Sequence, residues 1–416
     1  MIWRLTIGSL AARALTVFMT IIAIALSVAL FLTVDKIRTG AKASFTDTIS
    51  GTDLIVGARS GSVQLLLYSV FRIGNATNNV SWDSYSKIAS RPEIDWIVPI
   101  SLGDSHRQFR VMGTTTDFFE YYKYRQSKSL EFTNGAVMAD LYDTVIGADV
   151  ASSLGYSIGD PIIVSHGIAS FSDHDDQPFR VHGILAKTGT PVDRTVILSL
   201  EAIEAIHVDW QSGGKTSNHT TPAEQIRQME LRPKSITAAL LGVKSKLQIF
   251  SLQRAINQYN DEPLLAILPG LALQELWSII GIAEMALVWV SWMVILTALI
   301  GMSATICSSL NERRREMAIF RSVGARPRFI LFLFMTESMF MAVSGILIGV
   351  AIVYSGLFVA QPILDNMFGI WVPITMISKA ELFALFGVLG AAALVSLLPA
   401  LMAYRLSLAD GMVVKT

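Results

Sequence analysis

The sequence predicts a membrane protein with four transmembrane α-helices and a large mixed α/β extracytoplasmic domain. Two observations lead to this fold class: the chain contains four long apolar runs, and a stretch of ordinary mixed polarity lies between the first and the second of them. The composition agrees with it, because 52% of the 416 residues are hydrophobic and only 16% are charged. Soluble domains carry roughly 25% charged residues.

Each apolar run is long enough to cross a bilayer, which takes about 20 residues of helix. Backbone amides cannot stay unpaired in hydrocarbon, so runs of this length predict helices. The predicted spans are residues 14–34, 277–310, 329–359 and 382–403. The second is longer than a bilayer requires, so we expect its first turns to form a stalk. Glu284 in that stalk either protrudes from the membrane or carries protons within it.

The short loops predict the orientation, because arginine and lysine concentrate on the cytoplasmic side of spans. Six arginines lie between the second and third spans, whereas Lys379 is the only basic residue between the third and fourth. We therefore expect a bacterial inner-membrane protein with both termini in the cytoplasm. The predicted segments outside the bilayer are an interfacial N-terminal helix (1–13), the extracytoplasmic domain (35–276), a cytoplasmic segment (311–328), an extracytoplasmic loop (360–381) and a cytoplasmic tail (404–416).

The extracytoplasmic domain is large enough to bury a core of its own. It contains short apolar runs bounded by Gly, Pro and Asp, which predict strands, and stretches of helical periodicity. The predicted strands are 108–112, 161–164, 179–185, 196–198 and 236–241, and the predicted helices are 81–89, 148–154, 200–206 and 247–259. These patterns predict the class of the domain and leave its topology open.

Three histidines of this domain, His166, His174 and His182, recur every eight residues, and aspartates surround the middle one. Nitrogen and oxygen ligands of this kind suit zinc. The alternative is a solvated polar turn between two strands, which explains the same residues without a metal.

The sequence contains no catalytic motif that would make the chain an enzyme. Residues 211–217 read QSGGKTS and imitate the end of a phosphate-binding loop, but the opening glycine of that motif is absent. We expect no cofactor in this chain and no nucleic-acid partner, since its 33 basic and 33 acidic residues cancel.

The segment 311–328, NERRREMAIFRSVGARPR, is the most informative part of the chain. It predicts a helix that continues inward from the second span, ends at Gly324 and is followed by an element starting at Pro327. A charged, amphipathic element of this kind lies on the membrane or docks into a groove of a partner. Alternatively, its arginines only fix the topology, which leaves Glu312 and Glu316 unexplained.

This segment resembles the coupling segment of the MacB and FtsX type of ABC transporter permease, also called type VII. The order of spans and outer domain is similar as well, and so is the tail PALMAYRLSLADGM, in which Pro399 would mark a helix end. The stretches DLIVGARSGSVQLLL (53–67) and GILAKTGTPVDR (183–194) resemble one subgroup of these permeases. Unlike MacB, the chain shows no fused ATPase domain.

The resemblance implies a MacB-like periplasmic domain, and it implies a separate ABC ATPase subunit that holds ATP and magnesium. It also implies a homodimer or a pair with a related permease, and a periplasmic adaptor or substrate-binding protein as a further partner. The face of Gly345 and Gly349 on the third span would pack against such a permease or within the same chain. The residues expected to couple to the ATPase are Glu312, Arg313, Arg314, Arg315, Glu316, Arg321, Gly324 and Ala325.

Three functions follow from these features. The first is mechanotransmission, in which ATP hydrolysis by the partner moves the periplasmic domain for export or for work resembling lipoprotein release. The second is an FtsX-like regulatory transmitter that activates a periplasmic enzyme. The third is a component of a zinc-linked transport system, which only the three histidines favour.

Overall fold

The chain divides into two compact units. The helical unit comprises Met1–Gly40, Gly281–Pro362 and Val372–Thr416, and the sheet unit comprises Ala41–Ile280 and Ile363–Trp371. The computed structural model describes residues 10–11, 13–125, 127–166, 173–211, 214–215, 221–312, 317, 319, 322–368 and 374–405.

Four helices are long and apolar enough to cross a membrane among the residues described. The helices are α1 (Ala14–Asp47), α2 (Ser62–Ser69), α3 (Trp82–Ala89), α4 (Asp117–Tyr121), α5 (Ala148–Leu154), α6 (Leu200–Ile206), α7 (Ala223–Ile226), α8 (Ile249–Asn257), α9 (Pro269–Glu312), α10 (Pro327–Phe368) and α11 (Lys379–Arg405). Candidate spans lie in α1, α9, α10 and α11. Together with the sheet described below, they confirm the predicted fold class.

The long helices run further than the apolar runs that predicted them. The helix α1 continues through the polar residues after Val34 to Asp47, because polar side chains are compatible with a helix once it leaves hydrocarbon. The helix α11 continues through Pro399 to Arg405, so the expected helix end at this proline is wrong. A proline in a helix leaves the carbonyl four residues earlier without its usual donor. Here the hydroxyl of Ser303 in α9 donates to that carbonyl, on Val395, at 3.4 Å.

A ten-stranded mixed sheet forms the centre of the sheet unit. The strands of the described part of the chain are β1 (Leu54–Ala58), β2 (Val80–Ser81), β3 (Ile94–His106), β4 (Phe109–Thr114), β5 (Lys123–Tyr124), β6 (Lys128–Ser129), β7 (Phe132–Gly135), β8 (Asp143–Ile146), β9 (Pro161–His166), β10 (Asp173–Leu185), β11 (Thr195–Ser199), β12 (Trp210–Gln211), β13 (Gly214–Lys215), β14 (Ser235–Ile236), β15 (Ala238–Val243) and β16 (Leu264–Ile267).

The order of the large sheet is β16-β1-β15-β3-β4-β11-β8-β10-β7, and β9 pairs with both β10 and β3. Most neighbours are antiparallel, but β11 runs parallel to β4 and β10 runs parallel to β8. Both faces of the sheet are covered. Along β1, Ile55 enters one buried cluster, whereas Leu54 and Val56 enter another, as the alternation of side chains in a strand requires.

The stretch 53–67 folds as β1 followed by α2, which packs against β1. Gly57 permits this close approach, because a Cβ at Gly57 would lie 2.6 Å from Cδ1 of Leu65. Gly57 is therefore explained by packing.

Candidate functional site in the helical unit

A buried ion pair joins α1 to the start of α11. Nζ of Lys36 lies 3.2 Å from Oε2 of Glu381, and the two side chains are 4% and 2% exposed. A capping box orients this carboxylate: the backbone N–H of Ser378 donates to Oε2 of Glu381 at 2.6 Å, and the N–H of Glu381 donates to Oγ of Ser378 at 3.1 Å. The ammonium of Lys36 also donates to the carbonyls of Thr375 and Met376, at 3.1 and 3.3 Å.

Tyr354 of α10 completes this cluster. Its hydroxyl donates to the carbonyl of Thr375 at 2.9 Å, and its ring centroid lies 5.7 Å from Nζ of Lys36, which is within cation–π distance. One lysine of α1 is thus held by groups from α10, α11 and the residues before α11.

A second charged pair lies at the start of α1. Nη2 of Arg13 lies 3.6 Å from Oε2 of Glu337 in α10, and Glu337 is 1% exposed. Within the helical unit, α1 is therefore fixed to α10 near its start and to α11 near Lys36. Because a charge in an apolar environment is expensive unless it is paired, both contacts constrain which helices can be neighbours.

Between these two ion pairs, glycines of α10 allow α1 to approach closely. A Cβ at Gly345 would lie 2.7 Å from Cγ2 of Ile24, and one at Gly349 would lie 2.7 Å from the carbonyl oxygen of Ala25. The small face predicted on the third span is thus occupied by α1 of the same chain. Of the two alternatives, a second permease or the same chain, these contacts agree with packing within the same chain.

A cleft separates α1 from α9 over part of their length. The two helices meet where Oγ of Ser27 approaches the carbonyl oxygen of Val294 at 3.5 Å, and a cleft of about 680 Å³ begins beside this contact. The cleft is lined by Leu15, Thr16, Met19, Thr20, Ala23, Ser27, Val294, Thr297, Ala298, Gly301, Met302 and Thr305.

The coupling segment is described only in part. Arg313, Arg314, Arg315, Glu316 and Arg321 lie outside the described residues, and only the backbone of Glu312, the last residue of α9, is described. Gly324 has a φ of +94°, which is the conformation that a glycine after a helix adopts at least cost. Ala325 follows it, and α10 begins at Pro327.

Two apolar side chains of this segment face solvent. Ile319 and Val323 are 54% and 84% exposed, whereas Met317 is 6% exposed. Ile319 and Val323 are four residues apart and share one face of a helical turn, so the segment presents an apolar edge that nothing in the described part of the chain covers.

Strand register separates the backbone positions of two of the three histidines predicted in the sheet unit. His174 lies opposite Val164 of β9, and further along the same pair Arg180 lies opposite Pro161. Three residue steps of β9, about 10 Å, therefore separate these two positions of β10. His182 lies two residues beyond, which makes its distance from His174 about 17 Å.

A single zinc ion bonds to its ligands at about 2 Å, so ligand atoms lie within about 4 Å of one another. The register therefore separates the backbone of His174 from that of His182, and a zinc site formed by His166, His174 and His182 stays a prediction. Nδ1 of His182 instead lies 3.3 Å from Oδ2 of Asp143. The side chains of His166 and His174 lie outside the described residues. No group of three metal-ligating side chains occurs among the residues that the structure describes.

The stretch 183–194 forms a closed turn around a buried carboxylate. Asp193 accepts hydrogen bonds from the N–H of Thr188 at 2.8 Å, from its hydroxyl at 2.7 Å, and from the N–H of Gly189 at 2.6 Å. Burial raises the pKa of Asp193, and the nearby carboxylate of Asp149 raises it further, while these hydrogen bonds lower it. The hydrogen bonds to Asp193 stabilise the turn.

Two protein-family models match this chain. Residues 17–256 match the family model of the MacB-like periplasmic core domain, and residues 288–408 match that of the FtsX-like permease C-terminal domain. The first match alone covers more than half of the chain. The chain belongs to the MacB and FtsX type of ABC transporter permease. Its sheet unit is thus a MacB-like periplasmic domain, and its long helices are those of a membrane permease.

Two relatives agree with this family. One is an uncharacterized ABC transporter permease of Methanocaldococcus jannaschii, 25% identical over 217 residues, which are 51% of this chain and 47% of that protein. The other is the pyoverdine export ATP-binding/permease protein PvdT of Pseudomonas fluorescens, 22% identical over 304 residues, which are 68% of this chain and 42% of that protein. The chain therefore spans less than half the length of each relative.

Two solved structures also show similarity to parts of this permease. The periplasmic region of MacB from Actinobacillus actinomycetemcomitans matches 55% of this chain and 94% of its own, with 10% identity and a TM-score of 0.34. The extracellular domain of the noncanonic ABC-type transporter YknZ from Gram-positive bacteria matches 52% of this chain and 99% of its own, with 13% identity and a TM-score of 0.30. The family assignment rests on the two family models.

The sequence analysis missed the residues that hold the helical unit together. Arg13 and Lys36 flank the first apolar run, and Glu381 precedes the fourth. A charged residue at the edge of a span is usually interpreted as an anchor at the membrane surface. Its pairing across helices depends on which helices are neighbours, and the linear sequence does not state that.

Proposed function

We propose that this permease couples ATP hydrolysis by a separate ATPase subunit to movement of its periplasmic domain, for export or work resembling lipoprotein release across a bacterial inner membrane. The observation that carries the proposal is the continuity of α9. This helix begins at Pro269, directly after β16 ends at Ile267, and runs to Glu312 at the edge of the coupling segment. Its 44 residues correspond to about 66 Å of rise.

Continuity matters because a helix transmits a displacement only if it does not bend. The proline of α9 is its first residue, Pro269, where the missing N–H costs no helical hydrogen bond. The remaining residues keep their backbone hydrogen-bond donors. A movement imposed near Glu312 would therefore reach β16 and the periplasmic sheet to which it belongs.

The exposed edge formed by Ile319 and Val323 supports docking of the coupling segment into a groove of the ATPase. Apolar side chains on the face of a short helix are typical of helix-in-groove recognition, and the arginines and glutamates of 312–321 would surround such a contact. ATP and magnesium would bind in the ATPase. In this arrangement the coupling segment and both termini lie in the cytoplasm.

The pyoverdine export relative supports export as the class of work. We expect the permease to act as a homodimer or as a pair with a related permease, and a periplasmic adaptor or substrate-binding protein is the further partner that such work requires. The zinc-linked alternative rests on the side chains of His166 and His174, which lie outside the described residues, and it is not developed further.

The coupling assignment is tested by replacing Arg314 and Glu316 together with alanine in the full-length chain. The variant should reach the membrane at the normal level but should no longer retain the ATPase on affinity purification. Replacing Arg107 of the periplasmic domain with alanine provides the control. ATPase retention equal to that of the unmodified permease would contradict the coupling role.

The role of α9 is tested separately at Ala283, an exposed position of this helix. Ala283→Pro should bend α9, leave ATPase binding intact and abolish the stimulation of ATP hydrolysis that depends on the periplasmic domain. Ala283→Leu keeps the helix and should behave like the unmodified permease. Full stimulation in the proline variant would rule out mechanical transmission through α9.

A further inference from the structure

The cleft between α1 and α9 has the length of an extended lipid chain. Its lining on α1 extends from Leu15 to Ser27, which is about 18 Å along a helix. Its volume is about 680 Å³, so the cleft has room for an extended hydrocarbon chain.

The walls of the cleft are mainly apolar, and their few polar groups are satisfied locally. The hydroxyls of Thr20, Thr297 and Thr305 each donate to a backbone carbonyl one turn earlier in the same helix. Their hydroxyl donors are therefore already used within the helices. Gly301 leaves open space beside the wall of the cleft, since a Cβ there would meet no atom within 4 Å.

One end of the cleft is polar. A second cavity of about 440 Å³ shares Leu15, Thr16 and Thr305 with the first, so the two adjoin at these residues. The polar residues added here are Arg13, Ser308 and Ser309. The guanidinium of Arg13 is partly exposed, and its planar set of donors suits phosphate. Its partner Glu337 is not part of this lining.

We propose that this cleft is a binding site for an anionic phospholipid. One acyl chain lies between α1 and α9, and the headgroup phosphate lies at Arg13 beside Ser308 and Ser309. The headgroup phosphate is assigned to this end of the cleft because Arg13 supplies a positive charge there. Lipid binding here requires no assumption about ATPase coupling.

The test uses the full-length permease in bilayer nanodiscs that contain phosphatidylglycerol and phosphatidylcholine, followed by native mass spectrometry of the released protein. The unmodified permease should retain one phosphatidylglycerol per chain in preference to phosphatidylcholine. Gly301→Leu, which fills the cleft, should lose that lipid. Gly356→Leu is the matched control, because Gly356 of α10 also faces open space, and it should retain the lipid.

The headgroup is tested with the double variant Arg13→Gln and Glu337→Gln, which removes the cation without leaving its buried carboxylate unpaired. This variant should retain either lipid equally. Equal retention of the two lipids by the unmodified permease would overturn the headgroup assignment. If Gly301→Leu retained the lipid and reduced the dimer fraction, the cleft would be a helix–helix interface between chains, and the proposal would be wrong.

Discussion

Lys36 and Glu381 form an ion pair within the helical unit that is almost completely buried, with 3.2 Å between Nζ and Oε2. Removing one partner of a buried pair leaves an uncompensated charge and costs about 3–5 kcal/mol, whereas replacing both partners costs much less. We therefore expect Lys36→Met or Glu381→Gln alone to lower the Tm of the purified permease strongly. The double variant Lys36→Met with Glu381→Gln should recover most of the loss.

The control for this cycle is the exposed pair of Lys87 and Asp261, whose side chains are 62% and 58% exposed. Exposed pairs are screened by water and contribute little, so Lys87→Met should leave the Tm nearly unchanged. Equal Tm losses for the double variant and the sum of the two single variants would show that the buried pair is not coupled.

Gly349 should be intolerant of any side chain. A Cβ at this position would lie 2.7 Å from the carbonyl oxygen of Ala25 and 3.0 Å from Cβ of Val28, and backbone cannot move aside as a side chain can. We expect Gly349→Ala to lower the Tm, because overpacking reduces the free energy of unfolding by about 1–3 kcal/mol. Gly390→Ala, at a position of α11 with open space around it, should be neutral. An unchanged Tm for Gly349→Ala would contradict the contact between α1 and α10.

Arg72 should be dispensable for stability. Burial lowers the pKa of its guanidinium to about 10, and its Nε and Nη1 atoms have no hydrogen-bond partner among the described residues. Because an unpaired buried charge is costly, Arg72→Met should hold or raise the Tm of the periplasmic domain, with a rise of roughly 2–4 °C for each kcal/mol gained.

Arg110 provides the contrast, since its guanidinium donates to Asn75 and to the carbonyl of Gly74 at 2.8 and 3.0 Å. Arg110→Met should therefore lower the Tm. A lower Tm for Arg72→Met than for Arg110→Met would show that the guanidinium of Arg72 has a stabilising partner.

Asp193 should make the periplasmic domain less stable as pH rises through the acid range. Burial raises its folded-state pKa above the unfolded value of about 3.9. Between these two values the folded state binds more protons than the unfolded state, so the free energy of unfolding falls with increasing pH. The Asp193→Asn variant lacks this contribution.

Thermal unfolding of both proteins across the acid range measures the effect. As pH rises, the Tm of Asp193→Asn should increase relative to the Tm of the unmodified permease. Asp83→Asn, at a carboxylate that is 82% exposed, should follow the unmodified curve closely. A constant difference at all pH values would mean that the Asp193 carboxyl has an ordinary pKa.

Local pattern predicted much of the secondary structure. The helices at Ala148–Leu154 and Leu200–Ile206 begin and end where periodicity placed them, because their apolar spacing is set by adjacent residues alone. The strands β1, β8 and β16 were not predicted. They are short and almost wholly buried, so they lack the alternation that marks a strand in the sequence.

The sequence by itself determined that this chain crosses a membrane with four helices, carries a mixed α/β domain between the first two, and belongs with the MacB and FtsX permeases. The lengths of the apolar runs and the local sequence motifs are sufficient for these conclusions. Only the tertiary structure decided that Gly345 and Gly349 pack against α1 and that Lys36 pairs with Glu381. It also decided that the backbone of His182 lies far from that of His174. Each of these depends on which distant segments become neighbours, and that is set by packing of the whole unit.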